Sequence, residues 1–310
     1  MPHVDPAPEA APPQPAATPA YVMDNARGAG WMMFSVIFSA VMAISVKWAA
    51  VEMDSRVIVL DRSIGALVLG CAALLASPRL RAGLRFSAPW LHIWRGALVG
   101  ISTHFGYYSL TALPLATATV LFFSAPIFTA MLAAPLLGEK IGPRRAGAIA
   151  AGFLGVGIVL RPGADSFQPA MLAGIASSLL FAVALLSTRG LANRDGAFSA
   201  FISSTVVTIL VSAPAAAPVW AWDFTLTAWV AIALVAISGM GRTIADIEAY
   251  RLAEAAILAP LSYLRLILIA AASYLIFDET PDGYTIAGGA VIIAAALYIA
   301  HRERLVKRRG

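Results

Sequence analysis

The chain has 310 residues, of which 60% are hydrophobic and only 13% charged, and its mean hydropathy is +0.80. Ordinary soluble domains have roughly 45 to 50% apolar and about 25% charged residues, so this composition excludes a soluble protein and indicates an integral membrane protein in contact with the lipid bilayer. The net charge of +5 comes from basic residues in short segments between apolar runs. That pattern is typical of membrane orientation and predicts no nucleic-acid partner.

Residues 1–28 are rich in proline and alanine. They lack the basic start and the apolar run of a secretory signal, so we predict a disordered cytoplasmic tail. Further along, Cys71 is the single cysteine and lies inside an apolar run, which rules out an intrachain disulfide and a cysteine metal cluster. Packing is the role predicted for Cys71, and the sequence predicts no cofactor.

Ten apolar spans follow the tail, and the sequence therefore predicts an all-α protein with ten transmembrane helices. The spans are Gly30 to Ala50, Val57 to Ala76, Trp90 to Ala112, Ala116 to Leu137, Ala146 to Val159, Ala170 to Ser187, Phe198 to Val219, Ala228 to Tyr250, Ala255 to Phe277 and Tyr284 to Ala300. The fifth and sixth look short but can extend into their flanks.

Lysine and arginine are distributed unequally between the two sides of these spans. With both termini in the cytoplasm, 15 of the 22 basic residues fall in cytoplasmic segments, two fall outside and five lie within spans. This bias predicts a multi-pass protein of the cytoplasmic (inner) membrane with both termini cytoplasmic. No connection is long enough for a soluble domain, so the function is expected among the helices.

The two halves of the chain share a pattern. An apolar span that begins at a tyrosine, ends at an acid and precedes a turn and a small-residue helix occurs from Tyr108 through Glu139 and again from Tyr250 through Glu279. Each half has five spans, an odd number, so the halves enter the membrane from opposite sides. Inverted repeats of this kind are typical of secondary transporters, whose substrate site lies near the midplane.

Several motifs also resemble a known family. The run from Leu113-Pro114-Leu115-Ala116 to Ala125-Pro126, closing with Leu137-Gly138-Glu139-Lys140, resembles the first repeat of EamA-type proteins of the drug/metabolite transporter superfamily. Pro260 to Arg265, followed by Phe277-Asp278-Glu279, resembles the second repeat. The resemblance covers about Gly30 to Glu303, with one departure: Asp278 stands where the family has glycine.

This resemblance implies two inverted five-helix repeats, assigned as residues 29–162 and 168–302, with residues 303–310 as a basic cytoplasmic tail. It implies a secondary transporter that moves a small organic metabolite by alternating access. Members move amino acids, nucleotide-linked sugars, vitamins, S-adenosylmethionine, carboxylates and drugs, so the substrate stays open. The expected partners are a small-molecule substrate and a coupling proton or ion, in a monomer or a homodimer.

Arg265 is the first candidate substrate-binding residue, because it lies near the middle of the ninth span. An arginine at that depth costs about 2.5 to 3.5 kcal/mol on insertion scales unless it faces protein, water or a partner charge. Its planar fork of donors suits a carboxylate or phosphate, so an anionic or zwitterionic substrate fits. The alternative is an ion pair with an intramembrane acid, and a substrate carboxylate that displaces this acid would combine the two.

Asp246 is the leading acid, in the eighth span. Arg242 lies four residues before it on the same helix face, which predicts a structural ion pair. A coupling or gating role for Asp246, Glu248 and Arg242 is the functional alternative, while both acids can also reach headgroup water.

The third span offers His104 as a proton relay and Tyr107 as a stacking surface for a planar ligand, although a lone histidine and a tyrosine are also common in helix contacts. Arg62, about five residues into the second span, either lines the outer cavity or pairs with Glu52 or Asp54. Ser262, three residues before Arg265, is expected on the same helix face.

Four further residues have simpler predicted roles. Lys47 is expected to extend to the interface and Arg95 to anchor the cytoplasmic interface. Pro126 and Pro260 interrupt the fourth and ninth helices and free carbonyl groups, which either border a cavity or make plain kinks. The seven tryptophans near span ends fit an aromatic belt.

Two other functional classes make different demands on the sequence. An intramembrane enzyme that used His104 and Asp246 as acid and base would need a nucleophile or a metal motif such as H-E-x-x-H, and the sequence has none. A channel or a scaffold without transport is the other class; channels commonly need rings of charge or backbone filters, and the sequence has neither a glycine-rich filter nor a repeated pore loop. The sequence also lacks a G-x-x-x-x-G-K-[ST] run for ATP, so we predict a secondary transporter and no enzyme.

Overall fold

The computed structural model describes residues 24–307 except 138–141, 164–166 and 254, and in these residues the chain is helical without a β-strand. The all-α prediction is confirmed. The helices are α1 (Asn25–Ala49), α2 (Ser55–Ala76), α3 (Pro78–Ala82), α4 (Pro89–Ala112), α5 (Leu115–Phe122), α6 (Ala125–Leu137), α7 (Pro143–Leu160), α8 (Pro169–Asp195), α9 (Ala197–Ala216), α10 (Leu226–Leu252), α11 (Ala255–Ser262), α12 (Leu264–Phe277) and α13 (Gly283–Lys307).

Nine segments of the described chain are long and apolar enough to cross a membrane. The α5–α6 pair forms one of them and most of α11–α12 another, and the rest correspond to α1, α2, α7, α8, α9, α10 and α13. The tenth predicted span is α4, whose 24 residues extend about 36 Å at about 1.5 Å per residue. Its histidines, arginine and hydroxyl residues lower its hydropathy, which explains the difference between ten and nine.

Several boundaries differ from the predicted ones. Helix α1 begins at Asn25, inside the segment predicted as a tail, and α13 continues to Lys307, into the predicted basic tail. Helix α8 has 27 residues, so the sixth span does extend into its flanks. The Gly138-Glu139-Lys140 motif and Glu254 lie outside the described residues, as do residues 1–23 and 308–310.

The two halves of the chain pack through matching helix pairs. In chain order, the helices of the first half, α1, α2, α4, α5–α6 and α7, are matched with those of the second half, α8, α9, α10, α11–α12 and α13. With this matching, the contact between α1 and α10 corresponds to the contact between α8 and α4. The contact between α2 and α10 corresponds to the contact between α9 and α4. Likewise α1 packs on α11 and α12, while α8 packs on α5 and α6. This arrangement is the one expected for two related repeats that pack against each other.

Two faces of the bundle are defined by where α1 and α10 start and end. On the terminal face, the Asp24 amide at the start of α1 donates to the carbonyl of Leu252 at the end of α10 over 2.9 Å. On the opposite face, Glu52 follows α1 and accepts hydrogen bonds from Thr225, which precedes α10. Helices α1 and α10 are therefore antiparallel.

Helices α7 and α13 meet at a glycine seam, formed by Gly155 and Gly288. A Cβ atom added at Gly288 would lie 2.6 Å from the Gly155 oxygen and 2.5 Å from Val159 Cγ2. A Cβ atom at Gly155 would lie 2.9 Å from the Gly288 oxygen. The two backbones therefore touch directly, as small residues allow in membrane helix pairs.

We expect Gly288→Ala to destabilise the protein by about 1 to 3 kcal/mol, because the added methyl group must push the two backbones apart. The matched control is Gly157→Ala on α7, where nothing lies within 4 Å of the added Cβ. In that variant helix propensity alone acts, and it favours alanine by up to about 1 kcal/mol. Thermal unfolding in detergent measures both variants, and equal melting temperatures would contradict the close contact.

Candidate translocation site

The site is organised around two broken helices, one in each half of the chain. Helix α5 ends just before Phe123 and α6 begins two residues after it, while α11 and α12 are separated at Tyr263. Both breaks lie within three residues of Pro126 or Pro260, as predicted. The Phe123 and Tyr263 rings are 4.9 Å apart, so the two breaks meet in the middle of the bundle. Broken helices that face each other in this way border the substrate sites of transporters.

Arg265 lies in the first turn of α12, about 15 Å along the axis from the start of α11 and so near the middle of the span. Its side chain is partly buried, and its Nε is fully buried without a hydrogen-bond partner among the described residues. The Asp246 carboxylate attracts the guanidinium but lies too far away to form an ion pair with it, and the positive charge of Arg242 repels it. The helix start adds partial positive charge at the same place. This group is therefore suited to an anion.

Asp246 is held by two other partners. Ser35 Oγ on α1 donates to its Oδ1 over 2.5 Å, and Arg242 Nη1 lies 3.5 Å from its Oδ2. The predicted Arg242–Asp246 pair is therefore present. The alternative prediction, a direct Asp246–Arg265 pair, is not found, because both oxygens of Asp246 already have partners and lie beyond 4.0 Å from Arg265.

Glu248 and Ser262 lie at the edge of this group. Glu248 is half-buried on α10, two residues after Asp246 and therefore on another side of the helix. Ser262 is half-buried and ends α11, so the continuous helix that would place it on the face of Arg265 is interrupted at Tyr263. Their binding and gating roles stay predictions.

A second group lies closer to the opposite face. The Arg62 guanidinium carbon is 5.1 Å from the centre of the Tyr107 ring, which is a cation–π contact between α2 and α4. Arg62 Nε and the Tyr107 hydroxyl are buried, and neither has a hydrogen-bond partner in the described chain. The predicted pairing of Arg62 with Glu52 or Asp54 is wrong, since Glu52 binds Thr225 and Asp54 binds Arg56.

His104 belongs to the same region of α4. Its Nε2 lies 2.8 Å from Ser212 Oγ on α9, and the positive charge of Arg62 acts on it. The structure therefore brings His104, Tyr107 and Arg62 together, while Arg265, Arg242 and Asp246 form a separate group. Both groups contain a cation without an ion-pair partner among the described residues.

Comparison with known proteins decides the family. The model of the EamA-like transporter family matches residues 26–161. An S-adenosylmethionine uptake transporter of Rickettsia bellii is 31% identical over 277 residues, which cover 89% of this chain and 94% of the relative. The chain belongs to the EamA-like transporter family. As a member of this drug/metabolite transporter family it is a transporter rather than an enzyme.

A second sequence relative and a solved structure are consistent with membership of the EamA-like family. A riboflavin transporter of Rhizobium johnstonii is 28% identical, with 91% of this chain and 93% of the relative covered. A solved crystal structure with 20% identity superposes with a TM-score of 0.61 over 91% of this chain and 99% of that chain. The structural likeness supports the fold alone.

The EamA-like motif Phe277-Asp278-Glu279 connects three parts of the bundle. Asp278 adopts the left-handed backbone conformation, with a φ of 54°, which explains why glycine would fit at this position. The turn brings Glu279 beside α5, where its Oε2 accepts from the Leu115 amide over 3.0 Å. Ser273 Oγ donates to the same oxygen over 2.5 Å.

Lys47 completes this motif as the ion-pair partner of Glu279. Its Nζ also donates to the Leu113 carbonyl over 3.1 Å and lies 5.5 Å from the centre of the Phe277 ring. The prediction that Lys47 extends to the interface is therefore wrong, because a carboxylate from the other half of the chain holds it in a partly buried position. We call this set the Lys47–Glu279 tie.

At each face a carboxylate from one half of the chain binds the other half: Glu52 between α1 and α2, and Asp195 at the end of α8. On the opposite face, Glu52 accepts from Thr225 Oγ1 over 2.6 Å and from the Thr225 amide over 3.0 Å. On the terminal face, Asp195 Oδ2 accepts from the Ser87 amide and pairs with His92 Nε2, each over 2.9 Å. Hydrogen bonds from Thr225 and from Ser87 lower the pKa values of the two carboxyl groups.

The lowered pKa of Glu52 predicts a pH dependence of folding. A carboxyl group whose pKa is lower in the folded state stabilises that state above its unfolded pKa and loses the contribution as pH falls through the folded pKa. We expect Glu52→Gln to lower the melting temperature at neutral pH and to melt like the parent protein in acid. Thermal unfolding as a function of pH tests this, and a gap that persists in acid would contradict it.

Three simpler predictions also need correction. Arg95 donates to the Ala200 carbonyl over 3.0 Å and to Ser204 on α9, so it joins two helices rather than anchoring the interface. Cys71 is exposed on α2 and does not pack in the core. The belt predicted for the tryptophans is an incomplete account of Trp220, because its Nε1 also donates to the buried Asp61 over 3.2 Å.

Asp61 is the functional candidate that the sequence analysis missed. It lies within α2 and its residue exposure is only 8%. Its presence as an acid inside an apolar span was the available signal, since intramembrane ionisable residues are rare and generally functional.

Proposed function

We propose that this EamA-family protein is a secondary transporter that moves a small metabolite across the cytoplasmic membrane by alternating access. The terminal face is assigned to the cytoplasm on the distribution of lysine and arginine. Residues 29–162 and 168–302 are the two inverted repeats, and their relative rocking would open the region around Phe123 and Tyr263 to each side in turn.

The observation that carries the proposal is the environment of Arg265. It lies at the junction of the two broken helices, at mid-depth, with a buried Nε and no ion pair among the described residues. An arginine in this position is costly unless an anionic group compensates it. A substrate carboxylate supplies that group and fits the planar fork of the guanidinium.

Aromatic side chains favour a substrate that also contains a flat ring. Phe123 and Tyr263 are in contact at the junction, and the buried Tyr107 ring faces Arg62. Rings of this kind stack on planar heterocycles. A zwitterionic nucleoside derivative of the S-adenosylmethionine type combines both features. Riboflavin offers the ring without a carboxylate, and we rank it second.

The remaining predicted residues take supporting roles in this proposal. Arg62, Tyr107 and His104 contact the substrate on its way to the opposite face, and Ser262 contacts it at the junction. Asp246, with Arg242 and Glu248, adjusts the charge around Arg265, because the Asp246 carboxylate attracts the unpaired guanidinium and Arg242 repels it.

Transport by purified protein in proteoliposomes tests the proposal. Radiolabelled S-adenosylmethionine and riboflavin are each offered with an excess of the same unlabelled compound inside the vesicles. We expect S-adenosylmethionine to exchange and unlabelled amino acids without a nucleoside to compete weakly. Exchange of riboflavin alone would remove the carboxylate requirement, and exchange of neither compound would exclude this substrate class.

A further inference from the structure

Asp61 lies inside the membrane-spanning part of α2, six residues and about 9 Å from the start of that helix. Only 8% of the residue is exposed. Its Oδ1 accepts a hydrogen bond from Trp220 Nε1 over 3.2 Å, whereas its Oδ2 is buried without a hydrogen-bond partner in the described chain. A carboxyl group in this position has one oxygen free to carry a proton.

The charged groups around Asp61 all have other partners or lie elsewhere. On α2 itself, Arg56 pairs with Asp54, which precedes the helix, and Arg62 lies over the Tyr107 ring. Helix α4 contributes His104, which contacts Ser212. None of these side chains forms an ion pair with Asp61 within 4.0 Å.

The other neighbours of α2 contribute no charge at this depth. Helix α9 contains no titratable residue, and neither does α10 before Arg242. Asp223, in the segment between them, is exposed. Arg79 and Arg81 on α3 lie beyond the far end of α2.

An ionised carboxylate without a cation is costly in such surroundings, while the protonated acid is tolerated. Asp246, the other intramembrane aspartate, contrasts with it, because Ser35 and Arg242 occupy both of its oxygens. Of these two aspartates, Asp61 is therefore the one whose charge depends on whether water reaches it.

We propose that Asp61 is a proton-binding site that couples transport to the proton gradient, an inference that rests on the proposed transport function. When the site is open to one side, water delivers a proton and an O–H bond forms at Oδ2. When it is open to the other side, that bond breaks, its electron pair stays on Oδ2, and the proton leaves to water. Oδ1 keeps its hydrogen bond to Trp220 throughout. This assigns the coupling role to Asp61 instead of Asp246 or Glu248.

Proteoliposomes with an imposed pH difference, and with the membrane potential clamped, test the proposal. For one coupled proton, a difference of one pH unit gives about tenfold accumulation of S-adenosylmethionine or riboflavin at equilibrium. We expect Asp61→Asn, which resembles the protonated acid, to exchange the substrate and to lose this accumulation. Asp54→Asn, which removes a nearby exposed carboxylate, should accumulate like the parent protein.

Infrared spectroscopy of the purified protein provides a measurement that needs no substrate. We expect the carbonyl band of a protonated carboxylic acid to disappear as pH rises, to be absent in Asp61→Asn and to shift in frequency in Asp61→Glu. The proposal is overturned if the pH difference causes no substrate accumulation by the parent protein, or if Asp61→Asn still accumulates the substrate. It is also overturned if neither substitution of Asp61 changes the infrared band. Absence of any exchange by the parent protein would count against the transport function, and the infrared band would then decide on Asp61.

Discussion

Replacing Arg265 by alanine is expected to lower substrate exchange by about 10- to 100-fold, because hydrogen bonds to a charged group contribute about 1.5 to 3 kcal/mol and each 1.4 kcal/mol is a factor of ten. Arg265→Lys keeps the charge and loses the planar fork, so it should retain an intermediate rate. The rates are measured in proteoliposomes under saturating and limiting substrate, which separates weaker binding from slower conversion between states.

A matched control for Arg265 is Arg56→Gln. Arg56 lies in the first turn of α2, where its side chain is exposed and forms an ion pair with Asp54 at 2.9 Å. This variant should exchange substrate like the parent protein. Unchanged exchange in Arg265→Ala would place the guanidinium outside the substrate path and would favour the alternative, in which it serves only the charge balance with Asp246.

Breaking the Lys47–Glu279 tie is expected to cause the second large effect, on stability. Each side chain of the ion pair retains less than 20% of its surface exposed, so removing one partner leaves a charge in a largely dry site. Loss of one partner of a buried pair costs about 3 to 5 kcal/mol, and the residual exposure here lowers the expected loss for Glu279→Gln to about 2 to 4 kcal/mol. Chemical or thermal unfolding in detergent measures it.

The double variant Lys47→Met with Glu279→Gln separates the ion pair from the hydrogen bonds of Glu279. Because no unpaired charge is left, it should be more stable than Glu279→Gln alone. The exposed Arg56–Asp54 pair on the same face is the reference, and Arg56→Gln should change stability by less than about 1 kcal/mol. Equal losses of stability in Glu279→Gln and Arg56→Gln would show that the partly buried Lys47–Glu279 pair stabilises the fold no more than an exposed pair does.

Much of the fold follows from local sequence. Apolar length predicted the spans, the positions of Pro126 and Pro260 predicted the two breaks, and a spacing of four residues predicted the Arg242–Asp246 pair. Each of these depends on residues close together in the chain, where helix geometry alone fixes the distance. The residues of the broken helices were therefore the part of the candidate site most accessible to prediction.

Contacts between distant parts of the chain could not be predicted in this way. Lys47 and Glu279 are 232 positions apart, and Ser35 and Asp246 are 211 positions apart. Which cation meets which acid depends on how α1 packs on α10 and α12, and hydropathy carries no such information. Asp61 was visible in the sequence as an acid inside an apolar span, but its burial and its single bond to Trp220 exist only after α2 and the segment following α9 have come together.

The glycine seam constrains how the two halves can move. Gly155 and Gly288 place backbone against backbone, without an intervening layer of side chains that could change rotamer. Sliding along the seam would drive Val159 into the neighbouring main chain, whereas turning about the contact point would not. Helices α7 and α13 should therefore stay in contact and act as the pivot of the motion. The larger displacements are expected in α1, α4, α8 and α10.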